Sequence, residues 1–220
     1  MLPGFAYTRP STLAGAVKAL EDGSARAHAG GTDLLGCLRD GVFEASTVVS
    51  LGGLAALRGI EAVAQGGLRL GALATVAEIA DSEAVRRGYT ALAEAAASVG
   101  SPQLRNQGTL GGNLCQKPRC WYYRGGFHCL RKGGDLCFAV AGDNRYHCIF
   151  AGEGCFYVHP SDLAPALAAL DAQVRVVGPA GTRTVPLADF HVLPSADPHR
   201  ETVLAAGEVV TEVLLPPPAA

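Results

Sequence analysis

Leu13, Val17 and Leu20 recur at helical spacing within residues 11–21, with Ser11 and Thr12 ahead of them as capping hydroxyls and Gly23 behind as a stop. The pattern predicts a short amphipathic helix. ARAHA (25–29) reads as a strand, GGTDLLG as a turn opening a second helical turn, and TVVSL (47–51) as a β-branched strand, so residues 1–58 predict a small β-α-β unit. Further on, GLRLGAL (67–73) predicts a strand, a helical stretch starts at Thr75, and the Ala-rich run over 90–99 predicts another helix. HPSDLAPALAALDA sets Leu163, Leu167 and Leu170 on one helical face behind Ser161 as cap, while AQVRVV, TRTVPL and EVVTEVLL read as strands. The expectation is an α+β fold of two subdomains fused near residue 58, without internal repeats.

Composition narrows the function. With 49% hydrophobic and 17% charged residues in 220, the chain can bury a core without covalent staples. Its net charge of −2 gives no electrostatic reason to bind nucleic acid or an anionic membrane surface. The N-terminal MLPGFAYTRPSTLAG lacks the basic flank and apolar core of a signal peptide, and no apolar run approaches the roughly 20 residues of a membrane span. A chain made in the cytoplasm, with no membrane insertion, is expected. Seven cysteines, an odd number, then point to thiols that are reduced or bound to metal.

Two turns place paired glycines beside threonine hydroxyls, AGGTDLL (29–35) and GTLGGN (108–113). Glycine permits positive φ and lets a ligand approach the amide N–H groups, so the two turns together could hold a pyrophosphate. Neither is the G-x-G-x-x-G of a dinucleotide turn, and no phosphate-binding G-x-x-x-x-G-K-[ST] occurs. Each alone also reads as a structural turn. In HPSD, Asp162 suits either a helix N-terminus or a ligand hydroxyl.

Six of the seven cysteines fall within residues 115–155. Cys120-x8-Cys129-x7-Cys137-x10-Cys148 is a widely spaced four-thiol set, flanked by Cys115 and Cys155, and it lacks the close pairs of structural zinc sites. Four thiolates on glycine-rich loops can wrap a cubane iron–sulfur cluster, whose negative charge Arg119, Arg124, Arg131 and Lys132 would ease. Cys37, standing apart, reads as a small buried hydrophobe. Trp121, Tyr122 and Tyr123 read either as a shield for a cluster or as core aromatics.

AGGTDLL, GALATVAEI, RNQGTLGGNL and HPSDLAPALAALDA together resemble the FAD-binding medium subunits of the molybdenum hydroxylases, the xanthine dehydrogenase group, over essentially the whole chain. The cysteine-bearing loop after GGNL is similar to that of two branches, the periplasmic-type bacterial aldehyde oxidoreductase flavoprotein subunit and the β subunit of 4-hydroxybenzoyl-CoA reductase. RCWYYR and KGGDLCFAVAGDNRYHCIF look closer to the first.

The resemblance implies a two-subdomain FAD-binding fold of the PCMH, vanillyl-alcohol oxidase-like type. Residues 1–58 would form the N-terminal subdomain and 59–216 a larger mixed-sheet subdomain, with a [4Fe–4S] insertion at about 114–156. Residues 217–220 would be a truncated linker to a C-terminal domain that the chain is expected to lack. Ala27, His28, Ala29, Gly30, Gly31, Thr32, Asp33 and Leu34 would form the first FAD loop, completed by Thr109, Gly111, Gly112 and Asn113. Asp162 would hydrogen-bond the cofactor, Val210 would border its ring, and Cys120, Cys129, Cys137 and Cys148 would carry the [4Fe–4S] cluster.

The implied role is an electron-transfer subunit without an acid–base catalytic residue. Its partners would be a molybdenum-cofactor large subunit, a [2Fe–2S] small subunit and an external acceptor such as oxygen, ferredoxin or NAD. Export to the periplasm would require travelling with a signal-bearing partner. The competing reading from the residues is a metal-stapled interaction module.

Overall fold

A computed structural model describes residues 1–64, 66–150 and 152–218. Residues 219 and 220 of the expected linker, and residue 151 of the cysteine-rich insertion, lie outside the described residues. The chain starts with β1 (Ala6–Thr8), α1 (Leu13–Leu20), β2 (Ala25–His28), α2 (Leu34–Arg39) and β3 (Thr47–Ser50). Thr12 caps α1, accepting from the Gly15 amide at 3.1 Å, and the helix buries Ala16, Val17 and Leu20 as the spacing predicts. The three strands form a parallel sheet in the order β1-β3-β2. Parallel neighbours need crossovers, and α1 and α2 supply them.

The second sheet has five antiparallel strands. Its order is β4 (Ile60–Ala62), β5 (Leu68–Gly71), β8 (Val209–Leu215), β6 (Gln173–Gly178) and β7 (Gly181–Pro186). With one parallel and one antiparallel sheet joined by helices, the fold is the α+β arrangement expected. β1 and β4 went unpredicted because three-residue strands are too short to display an alternation.

Between the sheet's β5 and β6 run α3 (Val76–Asp81), α4 (Glu83–Gly88), α5 (Thr90–Ser98), α6 (Pro102–Gln107), α7 (Leu110–Leu114), α8 (Trp121–Arg124) and α9 (Leu163–Ala169). Thr75 and Glu78 form a reciprocal capping box at the start of α3, which explains why that helix begins where the sequence suggested. The main core lies between these helices and the antiparallel sheet and includes Leu70, Ile79, Leu92, Leu110, Leu163, Leu167, Val174, Phe190 and Val213. A second cluster joins the two sheets: Ala16, Val17 and Leu20 of α1 pack with Leu51, Leu57, Leu73 and Val209.

β8 is the central strand, and a carboxylate is buried in it. Glu212 bridges Arg69 of β5 on one side and Arg175 of β6 on the other. Removing the shared acceptor leaves Arg69, itself mostly buried, with only the exposed Glu61 carboxylate at 3.5 Å. Glu212→Ala is expected to lower stability by about 2–3 kcal/mol, read as a lower denaturant midpoint at unchanged slope.

Candidate functional site

The two glycine turns touch. The chain leaves β2 at His28, turns through Gly30 and Gly31, the latter at φ 74°, and enters α2 at Leu34. A Cβ on Gly30 would stand 1.8 Å from the Gln107 carbonyl oxygen, so only glycine lets the first turn press against the second. The second turn is held by strand-like bonds to the segment before α3. Val76 donates to the Gly108 carbonyl, Leu110 to Ala74 and Gly111 to Ala72, at 2.8–2.9 Å. Thr109 is buried and caps α7 by accepting from the Gly112 amide at 3.2 Å.

Beside this contact opens a cleft of about 240 Å³. Ala27, Ala29, Gly30, Gly31, Thr32, Asp33, Leu34, Thr109, Gly111, Gly112 and Val210, all predicted from the sequence, line it. Phe43, Leu51, Leu73 and Val209 add an apolar wall, and Arg26, Lys117 and Glu208 add charge. Turn amides with cations nearby suit a phosphate-bearing ligand, and the apolar wall suits a flat ring.

Three predicted contacts lie elsewhere. The His28 ring packs under Gly31, where a Cβ would come within 2.7 Å of Nε2. Its Nδ1 is buried and meets no hydrogen-bond partner among the described residues, and burial pushes the ring's pKa below the usual histidine value. Asn113 is buried behind the second turn, accepting from the Ser161 hydroxyl at 2.6 Å. Asp162 is exposed, because α9 turns Leu163 and Leu167 inward and leaves position 162 to solvent. Ser161 does the capping, accepting from the Ala164 amide at 3.0 Å.

Sequence reading missed Arg26, Phe43, Cys115, Lys117, Leu204 and Glu208 as cleft residues, since no local pattern ties them to either turn. Cys115 is half-buried there, and desolvation pushes its thiol up to about 12, so it stays protonated at neutral pH.

A second, apolar cavity lies inside the cysteine-rich insertion, with only about 10 Å³ of free space. Cys120, Cys129, Cys137 and Cys155 line it together with Tyr122, Tyr123, Phe138, His147, Phe156, Tyr157 and Arg131. Cys148 sits in a neighbouring depression with Asn144, His147 and Ile149. The Cys148 amide donates to the Phe156 carbonyl at 2.9 Å, and this local pairing leaves Cys155 on the cavity side. Among the described residues, no three His, Cys, Asp or Glu side chains converge as ligands for a metal ion. His147 Nε2 lies 3.1 Å from Cys120 Sγ, and Arg131 is buried between the rings of Tyr123 and Tyr157, 5.4 and 4.5 Å from their centroids.

Residues 3–218 match the family described as FAD binding domain in molybdopterin dehydrogenase. The chain belongs to that family. It is similar to the aldehyde oxidoreductase FAD-binding subunit PaoB of Escherichia coli (strain K12), 40% identical over 222 aligned positions that cover 99% of this chain and 70% of that protein. The nicotinate dehydrogenase FAD-subunit of Eubacterium barkeri is 30% identical across 97% of this chain and 59% of its own length. Among solved structures, quinoline 2-oxidoreductase from Pseudomonas putida 86 superposes with a TM-score of 0.73 at 27% identity, covering all of this chain and 61% of that one. Carbon monoxide dehydrogenase from Hydrogenophaga pseudoflava, at 24% identity and a TM-score of 0.74, shares the fold over the whole of this chain. The chain therefore spans less than two thirds of the length of these matched structures.

The cleft between the two turns is the candidate site for the FAD that the family's description names. The glycine contact is what shapes it, so Gly30→Ala is expected to cut flavin bound by the purified protein by about tenfold, equivalent to some 1.4 kcal/mol. Gly36→Ala, where an added Cβ meets nothing within 4 Å, serves as control and is expected to keep flavin content unchanged.

The histidine pair behind the cleft gives a pH signature. His159 and His191 rings lie 4.2 Å apart, and desolvation, helped by the neighbouring His191 and Arg131 charges and opposed by Asp33, pushes His159 down to about 3 from 6.5. Its folded pKa is depressed, so the unfolded chain takes up the proton first. Stability contributed by neutral His159 is complete above about pH 6.5 and is lost progressively as pH falls towards 3. Unfolding free energy measured across that range is expected to fall less steeply in His159→Gln.

Proposed function

We propose that the chain is the FAD-binding part of an electron-transfer subunit in a molybdenum-dependent hydroxylase of the aldehyde dehydrogenase type, and that its insertion carries a [4Fe–4S] cluster. The observation that carries the cluster reading is that four thiols line one apolar, aromatic-walled cavity, although they do not stand together as a ready-made ligand set. The donor chemistry fits, because thiolates are the ligands such clusters take. The ligand set is Cys120, Cys129, Cys137 and Cys155, with Cys148 as a bystander. FAD when bound supplies two-electron chemistry that can also proceed one electron at a time.

This chain's own residues have binding and orienting roles. The amides around Gly30, Gly31, Gly111 and Gly112, with Thr32, would hold the pyrophosphate, Arg26 would offset its charge, and Val209 and Val210 would border the ring. Tyr122, Tyr123, Phe138 and Phe156 keep water from the thiols. His159 and His191, both disfavoured as cations by burial, are poor general acids at neutral pH, in keeping with a relay that needs no proton donor. Residues 1–58 and 59–216 form the two subdomains that share the cleft. A molybdenum-cofactor large subunit and a [2Fe–2S] small subunit are the partners, and oxygen, ferredoxin or NAD is the acceptor class. The assembly works in the cytoplasm, or in the periplasm when carried there by a signal-bearing partner.

Iron analysis and visible spectra of single variants test the cluster assignment. The purified protein is expected to hold about four irons per chain with a broad thiolate-to-iron absorption. Cys155→Ser is expected to lose most of that iron and Cys148→Ser to keep it. A colourless, zinc-containing protein, or iron lost from Cys148→Ser but not from Cys155→Ser, would reject the cluster or this fourth ligand, respectively.

A further inference from the structure

The cysteine-rich insertion is fastened to both sides of the flavin cleft through ionic contacts made by residues that flank its thiols. On the first side stands Asp33, in the glycine turn. Arg124 Nη2 donates to Asp33 Oδ1 at 2.7 Å, the Lys117 amide donates to Oδ2 at 2.8 Å, and Arg119 lies 3.0 Å from Oδ1. Arg124 is itself locked in place by donating to the Pro118 and Lys117 carbonyls and to the Cys37 sulfur in α2. An apolar patch backs this node, with Cys37 and Val42 packing on Tyr123 and Cys129 of the insertion.

On the second side stands Glu201, buried in the segment that leads to cleft residues Leu204 and Glu208. Arg131 Nη2 and Lys117 Nζ both donate to its carboxylate, the latter at 2.6 Å, and Arg131 also donates to the Pro198 carbonyl. Arg124 and Glu201 are not themselves among the residues that line the cleft.

We infer that Arg124 and Glu201 are positioning residues for the flavin: they tie Asp33 and the 198–208 segment to one folded insertion, so that ordering the insertion tightens FAD binding. The inference rests on the proposed cluster only for the agent that orders the insertion. By linkage, anything that stabilises the folded insertion raises FAD affinity by the same factor by which FAD favours the folded insertion. Asp33, predicted as a flavin contact, then acts largely through the insertion, because both its carboxylate oxygens are already engaged there.

The test is FAD titration of the flavin-free full chain by fluorescence quenching, with iron content measured on each sample. Arg124→Gln and Glu201→Gln are expected to weaken FAD binding by about fivefold or more, at the low end of measured site-to-site couplings. Arg124→Lys, which keeps a charge near Asp33, is expected to recover part of the loss. Arg86→Gln, which removes an exposed pair with Asp81, is expected to change nothing. Circular dichroism confirms that each variant is folded, and should Glu201→Gln not fold, the Arg124 pair decides alone. Unchanged FAD affinity in folded Arg124→Gln overturns the inference. Iron-loaded and chelator-treated wild type are expected to differ in FAD affinity by a similar factor, and equal affinities with iron demonstrably bound also overturn it. A chain that takes up no iron rejects the cluster reading instead, while the Arg124 and Glu201 titrations still decide whether the insertion positions the flavin.

Discussion

The approach of Gly30 to the Gln107 carbonyl sets the geometry on which the site depends. Two turns separated by nearly eighty residues of chain can share a ligand only if their backbones meet, and a side chain at position 30 would hold them apart. The rest of the fold is arranged to bring that meeting about. The parallel sheet presents the first turn at the end of β2, and the antiparallel sheet anchors the second through the bonds between residues 72–76 and 108–111. The apolar seam from α1 to Leu73 and Val209 keeps the two sheets in register with each other.

The insertion is held by ionic contacts that are largely shielded from water. Arg131 is almost completely removed from water and is compensated by Glu201 and by the faces of two tyrosines, and Arg124 satisfies several acceptors at once. Buried pairs of this kind contribute little net stability but penalise any arrangement that leaves one partner alone. In a segment with few regular elements, they select one packing of the loop among many that its apolar residues would tolerate.

Much of this was legible in the sequence where chemistry is local. Helix starts at Thr12 and Thr75, the two glycine turns, and the β-branched strands around Thr47 and Val209 all announce themselves within a few residues. The identity of the fourth cavity thiol was not legible, because counting gaps cannot tell which of Cys148 and Cys155 faces inward; in the folded chain Cys155 lines the cavity and Cys148 lies in the neighbouring depression. The directions of the Asp162 and Asn113 side chains were not legible either. Their motifs mark helix starts correctly, yet the side chain that matters at each is determined by which way the helix face turns, and there Ser161 links the two. Lys117 and Glu201 had no local signal, being eighty-four positions apart.

The central place of β8 has a consequence for how the protein is made. This strand, at residues 209–215, joins β5 and β6 and supplies Val209 and Val210 to the cleft wall. A growing chain can complete the parallel sheet early on the ribosome, but its larger sheet stays split in two until the last strand slots between partners synthesised long before. The cleft wall is therefore complete only once residues 209–215 have joined the sheet, and until then the exposed edges of β5 and β6 are the surfaces most in need of chaperone protection.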